Sequence, residues 1–400
     1  MTTDRIGSPY RGVYGDEHEQ FRDTVRTFVE TRVRPCHEQW ERAGVVDRAL
    51  YTDAGAQGLI GFEVPETYGG AGVRDFRFNA VIQEEFGYAG FTSASSCLSL
   101  HNDVVLPYFL AGDAEQRARW LPGIGAGELV TAIAMTEPGA GSDLAGIRTR
   151  ARRDGDHYVL DGAKTFVTSG QNADLVIVVA RTGEHPHRGL TLLVVERGMP
   201  GFERGRNLDK IGQHGQDTSE LSFTEVRVPV ANRLGEENQA FGWLMRNLPQ
   251  ERLTIAVNAT ASAAGALERT LDYVVARRAF GQPIGTFQNS KFLLAELATE
   301  VDIARTFVSD CLAAHVADRL TPQRAAKAKW WTTELLTKVV DRCLQLHGGY
   351  GYMTEYPIAR SYVDARVQTI YGGTTEIMKE IIGRDLLDEG RHRSRGSATP

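Results

Sequence analysis

The chain is 400 residues long, 42% hydrophobic and 24% charged, with a formal net charge of -6 and a pI near 6.0. A chain of this length buries a large core and is expected to divide into two or three units, and its acidic balance excludes the overall basic charge that gathers phosphate backbones. Apolar runs such as LVIVVA at 175–180 fall far short of the roughly 20 residues that span a bilayer, so neither nucleic acid nor membrane is expected as a partner.

The opening MTTDRIGSPYRGVYGDEHEQ has no apolar core and turns acidic early, which is unlike a secretory or transit signal. Cys36, Cys97, Cys311 and Cys343 are scattered without a CxxC pair, so no disulfide framework and no metal site are expected, and a reducing, cytoplasmic setting is. Residues 1–130 are predicted to be helical: Phe21, Val25, Phe28, Val29 and Val33 recur at helical spacing and Pro35 closes that run. The texture changes over 131–238, where short β-rich runs (HYVLDG, KTFVTS, DLVIVVART, LTLLVVE, ELSFTEVRV) alternate with turns such as RRDGD and RGMPG. This predicts a small antiparallel β unit. Long helices return over 239–400, with an Ala-rich run at 255–266, a second from Gln288 to His315 and a third from Pro322 to His347, lengths that suit a bundle. The polar tail from about residue 388, DEGRHRSRGSATP, is expected to be disordered.

Five stretches are candidates for chemistry. TEPGAGSD (136–143) combines glycines with hydroxyls at the passage from helical to β texture; bare, it is as readily a turn, but its backbone N–H groups suit an anion or a heterocycle edge. It is neither a Walker A nor a GxGxxG sequence. LPQERLTIA (248–256) begins a helix with Glu251 and Arg252 in an otherwise small, apolar stretch. An adjacent Glu and Arg are usually a surface pair, yet burial would raise the Glu251 pKa and make it a usable base near neutral pH. RRAFGQPIGTFQ (277–288) offers either a solvated helix end or a phosphate clamp. QLHGGYGY (345–352) reads as a helix C-cap or a ligand-facing loop, and IYGGTTEI (370–377) as a loop whose Gly-Gly pair lets a backbone come close to a ligand without supplying an acid or base.

In this order and spacing, AMTEPGAGSD, RRAFGQPIGTFQ, QLHGGYGYMTEYPIAR and IYGGTTEIM resemble the acyl-CoA dehydrogenase family over about residues 15–388. KIGQHGQDTSEL (210–221), NLPQERL, YVDARVQTIYGGTTEIMKEIIGR and Phe166 bring the chain closest to the long-chain subgroup. The resemblance implies a mainly α fold with a β-domain: an N-terminal α-helical domain (1–130), a middle antiparallel β-barrel-like domain (131–238) and a C-terminal four-helix bundle (239–400). It implies FAD as cofactor, a homotetramer built as a dimer of dimers, and electron-transfer flavoprotein as partner. Carried over residue by residue, the flavin is expected against Ala134, Met135, Thr136, Gly141, Ser142, Phe166, Val167, Thr168, Thr374, Thr375 and Glu376, and the dinucleotide end against Arg277, Gln288, Gln345, Leu346, His347, Gly348 and Gly349. Many members carry Trp at the position of Phe166. Ser142, Arg252, Gly372 and Gly373 are expected to bind substrate.

The implied reaction is α,β-dehydrogenation of a fatty acyl-CoA to the trans-2-enoyl-CoA: a carboxylate removes the α-proton and the β-hydrogen leaves as hydride to the flavin. Many members carry that carboxylate after the Tyr of a Tyr-Glu-Gly-Thr loop, where this chain has Gly372. Long-chain and isovaleryl members carry it on the helix entered by LPQERL, which makes Glu251 the expected base and leaves Glu376 as the rival carboxylate. Gly372 is expected to leave room beside the α-carbon and to offer its N–H to the thioester oxygen. A branched acyl-CoA, a same-fold flavin oxidase or monooxygenase, and a nucleic-acid-associated relative are the alternative functions.

Overall fold

The computed structural model describes residues 12–396. Helices α1 (Asp16–Phe28), α2 (His37–Ala43), α3 (Ala49–Ala56), α4 (Phe76–Ala89), α5 (Thr92–Ser99), α6 (Leu106–Leu110) and α7 (Ala114–Gly125) precede a run of strands: β1 (Thr131–Ala134), β2 (Arg150–Asp154), β3 (His157–Thr168), β4 (Leu175–Arg181), β5 (Leu190–Glu196), β6 (Phe202–Asn207), β7 (Thr218–Pro229) and β8 (Arg233–Leu234). Helices then return as α8 (Ala240–Ala276), α9 (Gln288–Val316), α10 (Pro322–His347), α11 (Pro357–Ala365) and α12 (Thr375–Gly396). The helical, β, helical order predicted from sequence texture is the observed one. The described residues form two compact units, one of residues 12–20, 83–90 and 248–396 and the other of residues 21–82 and 91–247.

In the second of these units the sheet runs in the order β6-β7-β3-β2-β4-β5-β8, with β1 beside β4. The sheet is mixed rather than purely antiparallel, because β1 pairs β4 in parallel from Thr131 against Leu175 to Ala134 against Val178, and β2 meets β4 in parallel at Arg150. Some forty residues separate β1 from β4, ample for the crossover that parallel pairing requires. Both strands are buried along most of their length, as parallel strands are. Alternate residues of β4 feed two cores: Ile177 and Val179 pack with Phe109, Trp120 and Leu121 of α6 and α7, and Val176 and Val178 pack with Leu160, Leu221, Phe223 and Val228 of β3 and β7.

In the other unit, α8, α9, α10 and α11 share one core that includes Ala263, Leu267, Val301, Leu336, Val340 and Ile358. The Ala-rich face of α8 permits close backbone approach: a Cβ on Gly265 would sit 2.0 Å from the carbonyl oxygen of Tyr88. Helix α10 begins with Thr321 capping the N–H of Arg324 and Pro322 in its first turn, and ends at Gly348 with φ 58°. Two expectations fail here. Glu251 and Arg252 do not begin a helix, since α8 starts at Ala240 and carries Pro249 inside it. Residues 388–396 are helical rather than a disordered tail, and the sequence has no proline before Pro400 to stop that helix; residues 397–400 lie outside the described part.

Candidate active site

Glu251 sits on α8 within a helix whose following residues, Leu253, Thr254, Ala256 and Val257, are all buried. Its own side chain is 7% exposed, and among the described residues nothing donates a hydrogen bond to its carboxylate. Burial raises its pKa from the ordinary 4.5 to about 7, only partly opposed by the neighbouring Arg252 charge. A carboxylate in that state is a stronger base than an ordinary one and is still substantially ionised at neutral pH, which suits a general base.

The rival, Glu376, is in the opposite condition. It is exposed in the first turn of α12, and bonds from its own backbone N–H and the Thr374 hydroxyl hold its pKa below the usual carboxylate range. Such a group is a weak base, so the environment separates the two carboxylates cleanly.

Arg252, next to Glu251, turns its Nε onto the carbonyl oxygen of Gly372 in a long, 3.4 Å hydrogen bond. Lys329 of α10, fully buried, donates to the next carbonyl, that of Gly373, at 2.7 Å. Gly372 and Gly373 hold φ of 63° and 98°, the left-handed region that favours glycine. Neither of their N–H groups finds an acceptor among the described residues. The turn thus has its carbonyls bound by cations and its donors left over, the arrangement that receives a developing oxyanion. Lys329 was not anticipated. The available signal was a lone lysine on the buried face of α10, in register with Ala325, Thr332 and Leu336.

One expectation about this turn is wrong in detail. The space where a Gly372 side chain would stand is not empty, because a Cβ there would lie 2.4 Å from Cδ1 of Ile255. Ile255, one helical turn beyond Glu251, fills the place of the absent side chain.

The residues expected to line a cofactor fall in both units. In the unit that holds the sheet, Thr165 N–H donates to Thr136 O at 2.9 Å, which ties the segment of Ala134, Met135 and Thr136 to the strand that carries Phe166, Val167 and Thr168. Glu137 locks the same loop by accepting from Arg148 N–H, Thr149 N–H and Lys164 Nζ at 2.7, 2.8 and 2.8 Å. Beyond it the turn is open: Gly141 and Ser142 are exposed, and a Cβ on Gly139 or Gly141 would touch nothing within 4 Å. Phe166 stands at a register shift between β3 and β7 with φ 57° and its ring 66% exposed. A large apolar ring is thus displayed on strained backbone at a break in the strand pairing.

In the other unit, Arg277 lies over the ring of Tyr350, 5.2 Å from its centroid. The last turn of α10 carries Gln345, Leu346 and His347, followed by Gly348 and Gly349; Gln345 and both glycines are exposed, while His347 is buried and stacks on Tyr273 at 4.0 Å. Gln288 is exposed at the start of α9, Thr374 is half-buried and Thr375 buried. Among the described residues no group of His, Cys, Asp and Glu could hold a metal ion, and no helix is long and apolar enough to cross a membrane.

Comparison with known proteins follows the same divisions. Three family models match: Acyl-CoA dehydrogenase, N-terminal domain, over residues 15–128; Acyl-CoA dehydrogenase, middle domain, over 132–226; and Acyl-CoA dehydrogenase, C-terminal domain, over 238–387. A long-chain specific acyl-CoA dehydrogenase, mitochondrial, from Sus scrofa is 48% identical over 383 residues, covering 95% of this chain and 88% of the relative. Among solved structures, an acyl-CoA dehydrogenase from Geobacillus kaustophilus is 46% identical with a TM-score of 0.91, covering 94% of this chain and 99% of that one. A glutaryl-CoA dehydrogenase from Mycobacterium smegmatis in complex with FADH2 is 28% identical with a TM-score of 0.87, covering 94% of this chain and 95% of that one.

Proposed function

The chain belongs to the acyl-CoA dehydrogenase family, and from that premise we propose that it dehydrogenates a straight-chain fatty acyl-CoA between its α- and β-carbons, with Glu251 as the base. The observation that carries this reading is the state of the Glu251 carboxylate: buried, without a hydrogen bond among the described residues, and with its pKa raised to about 7.

FAD is the cofactor, and the residues present fit it. The exposed Phe166 ring suits the face of an isoalloxazine, and the open 139–142 turn leaves backbone N–H groups for phosphate. The exposed Arg277, Gln288 and Gln345 suit the dinucleotide end. When bound, FAD supplies the acceptor for the β-hydride.

The chain's own residues do the proton chemistry. Removing an α-proton leaves charge that delocalises onto the thioester oxygen, so the step needs donors at that oxygen and a base at the carbon. The unpaired N–H groups of Gly372 and Gly373 suit the first task and Glu251 the second. As the proton passes to the carboxylate, the buried site loses a localised negative charge, which burial itself favours.

A straight fatty acyl chain is favoured by 48% identity to a long-chain specific relative over most of the chain. Electron-transfer flavoprotein is the proposed acceptor of the electrons, and a homotetramer the proposed assembly. Anaerobic mixing of the holoenzyme with a panel of straight, branched and aromatic acyl-CoAs tests the reading by flavin bleaching. Straight-chain thioesters should bleach the flavin fastest. Preferential bleaching by branched thioesters would transfer the substrate assignment to them, and no bleaching by any thioester would overturn the activity.

A further inference from the structure

Lys329 is a costly residue for the place it occupies. Its ammonium is fully buried on α10, it forms no ion pair among the described residues, and its single hydrogen bond goes to Gly373 O at 2.7 Å. Desolvating a cation without a paired anion is among the most expensive things a fold can do. If the only task were to hold one carbonyl, a neutral amide donor would serve at a fraction of that cost. Of the charged groups around it, one adds to the expense and one relieves it in part. Burial lowers the Lys329 pKa to about 8, Arg252 of α8, itself 6% exposed, adds to that, and Glu376 of α12 pulls the other way. The remaining neighbour in this cluster, Glu251 of α8, is coupled to Arg252.

What the two cations share is the turn at Gly372 and Gly373, whose carbonyls they take and whose N–H groups are left unpaired. We infer that Lys329 is a positioning residue for α-proton removal: its hydrogen bond to Gly373 O keeps the two N–H groups presented to the thioester oxygen, and its positive charge stabilises the negative charge that gathers there. The step balances within the chain. The α-C–H bond breaks, the proton goes to a Glu251 carboxylate oxygen, and the bonding electron pair spreads over the α-carbon and the carbonyl oxygen. The cation is then repaid only when that charge develops, which is the condition for lowering a barrier rather than tightening ground-state binding. The inference rests on the acyl-CoA reading above.

The test separates proton removal from hydride transfer by using a 3-oxoacyl-CoA, whose acidic α-carbon ionises to an enolate that is followed by its charge-transfer absorbance with the oxidised flavin of the holoenzyme. Holoenzyme with native sequence, Lys329→Gln and Lys329→Arg is titrated with it across pH, and turnover with a straight-chain acyl-CoA and hydrogen exchange of segment 371–375 are measured on the same preparations. Lys329→Gln keeps a donor but no charge, and should raise the ionisation pH of the bound ligand by about one unit and lower kcat by on the order of 10²-fold with a much smaller change in KM. Lys329→Arg should recover most of both, and exchange at 371–375 should rise least in Arg and most in a Lys329→Met variant. An unchanged ionisation pH and kcat in folded Lys329→Gln would overturn the inference while native bleaching by acyl-CoA left the activity standing. If Lys329→Gln does not fold, Lys329→Arg decides: normal folding with an ionisation pH raised as far as about one unit would equally overturn it. Native enzyme that neither bleaches nor ionises the ligand would instead defeat the acyl-CoA reading.

Discussion

Two buried glutamates, one in each unit, each have a cation close by and end in opposite states. Glu137 accepts three hydrogen bonds, from two backbone N–H groups and from Lys164. Burial alone would raise its pKa, but the Lys164 and Thr149 bonds, with the Lys164 charge and the Arg148 N–H, bring it below the usual carboxylate range. Glu251 is as little exposed and more deeply enclosed, nothing among the described residues donates to it, and Arg252 is turned to Gly372 O. Its pKa rises to about 7. Both are little exposed; deeper enclosure at Glu251 and the supply of donors at Glu137 together separate a group free to take a proton from a structural anchor.

The largest expected effect is on rate. Glu251→Gln should leave flavin absorbance in place and lower anaerobic flavin reduction by roughly 10² to 10⁴-fold. Next come opposite effects on stability. Glu137→Gln removes the partner of a buried ammonium and should cost about 3 to 5 kcal/mol in urea unfolding at neutral pH. Glu251→Gln should do the reverse. A raised folded-state pKa means that Glu251 favours the folded state when protonated, and that this stability is lost as pH rises from 4.5 towards about 7. At pH 8 the Gln variant should therefore be more stable than the native chain by up to about 3 kcal/mol, and below pH 4.5 the difference should vanish. Equal and same-sign shifts for the two glutamates would break the contrast. The smallest effect is at the turn. Gly372→Ala puts a Cβ at φ 63° and 2.4 Å from Ile255 Cδ1, which should lower stability by about 1 to 3 kcal/mol. Combining it with Ile255→Ala should recover the steric share but not the backbone share.

Much of this was legible from residues alone. The helical, β, helical order followed from periodicity, since long amphipathic runs and short β-branched runs bury their faces in different ways. Glu251 was one candidate among several, since a charged pair entering the small, apolar run TIAVNATASAAGA is usually at the surface, and its choice as base came from the family resemblance. What stayed hidden depends on contacts between distant segments. The parallel pairing of β1 and β4 is a matter of crossover, not of local propensity. Ile255 against Gly372 joins positions 117 residues apart. Lys329 was overlooked because a lysine in KAKWW reads as surface until its helical register is set beside its buried neighbours. The strain at Phe166 was equally invisible, for a positive φ at a bulge arises from the register of β3 against β7.

The most direct measurement is the second-order rate constant for anaerobic flavin reduction at low concentrations of a straight-chain acyl-CoA, followed from pH 5 to 9 in the native enzyme and in Glu251→Gln. Such a rate reports ionisations of the free enzyme. The native profile should rise about tenfold per pH unit at low pH and level off near pH 7, and the variant should lose that limb along with most of its rate. A native limb that levels off near pH 4, or one that persists unchanged in Glu251→Gln, would contradict the assignment of Glu251 as the base.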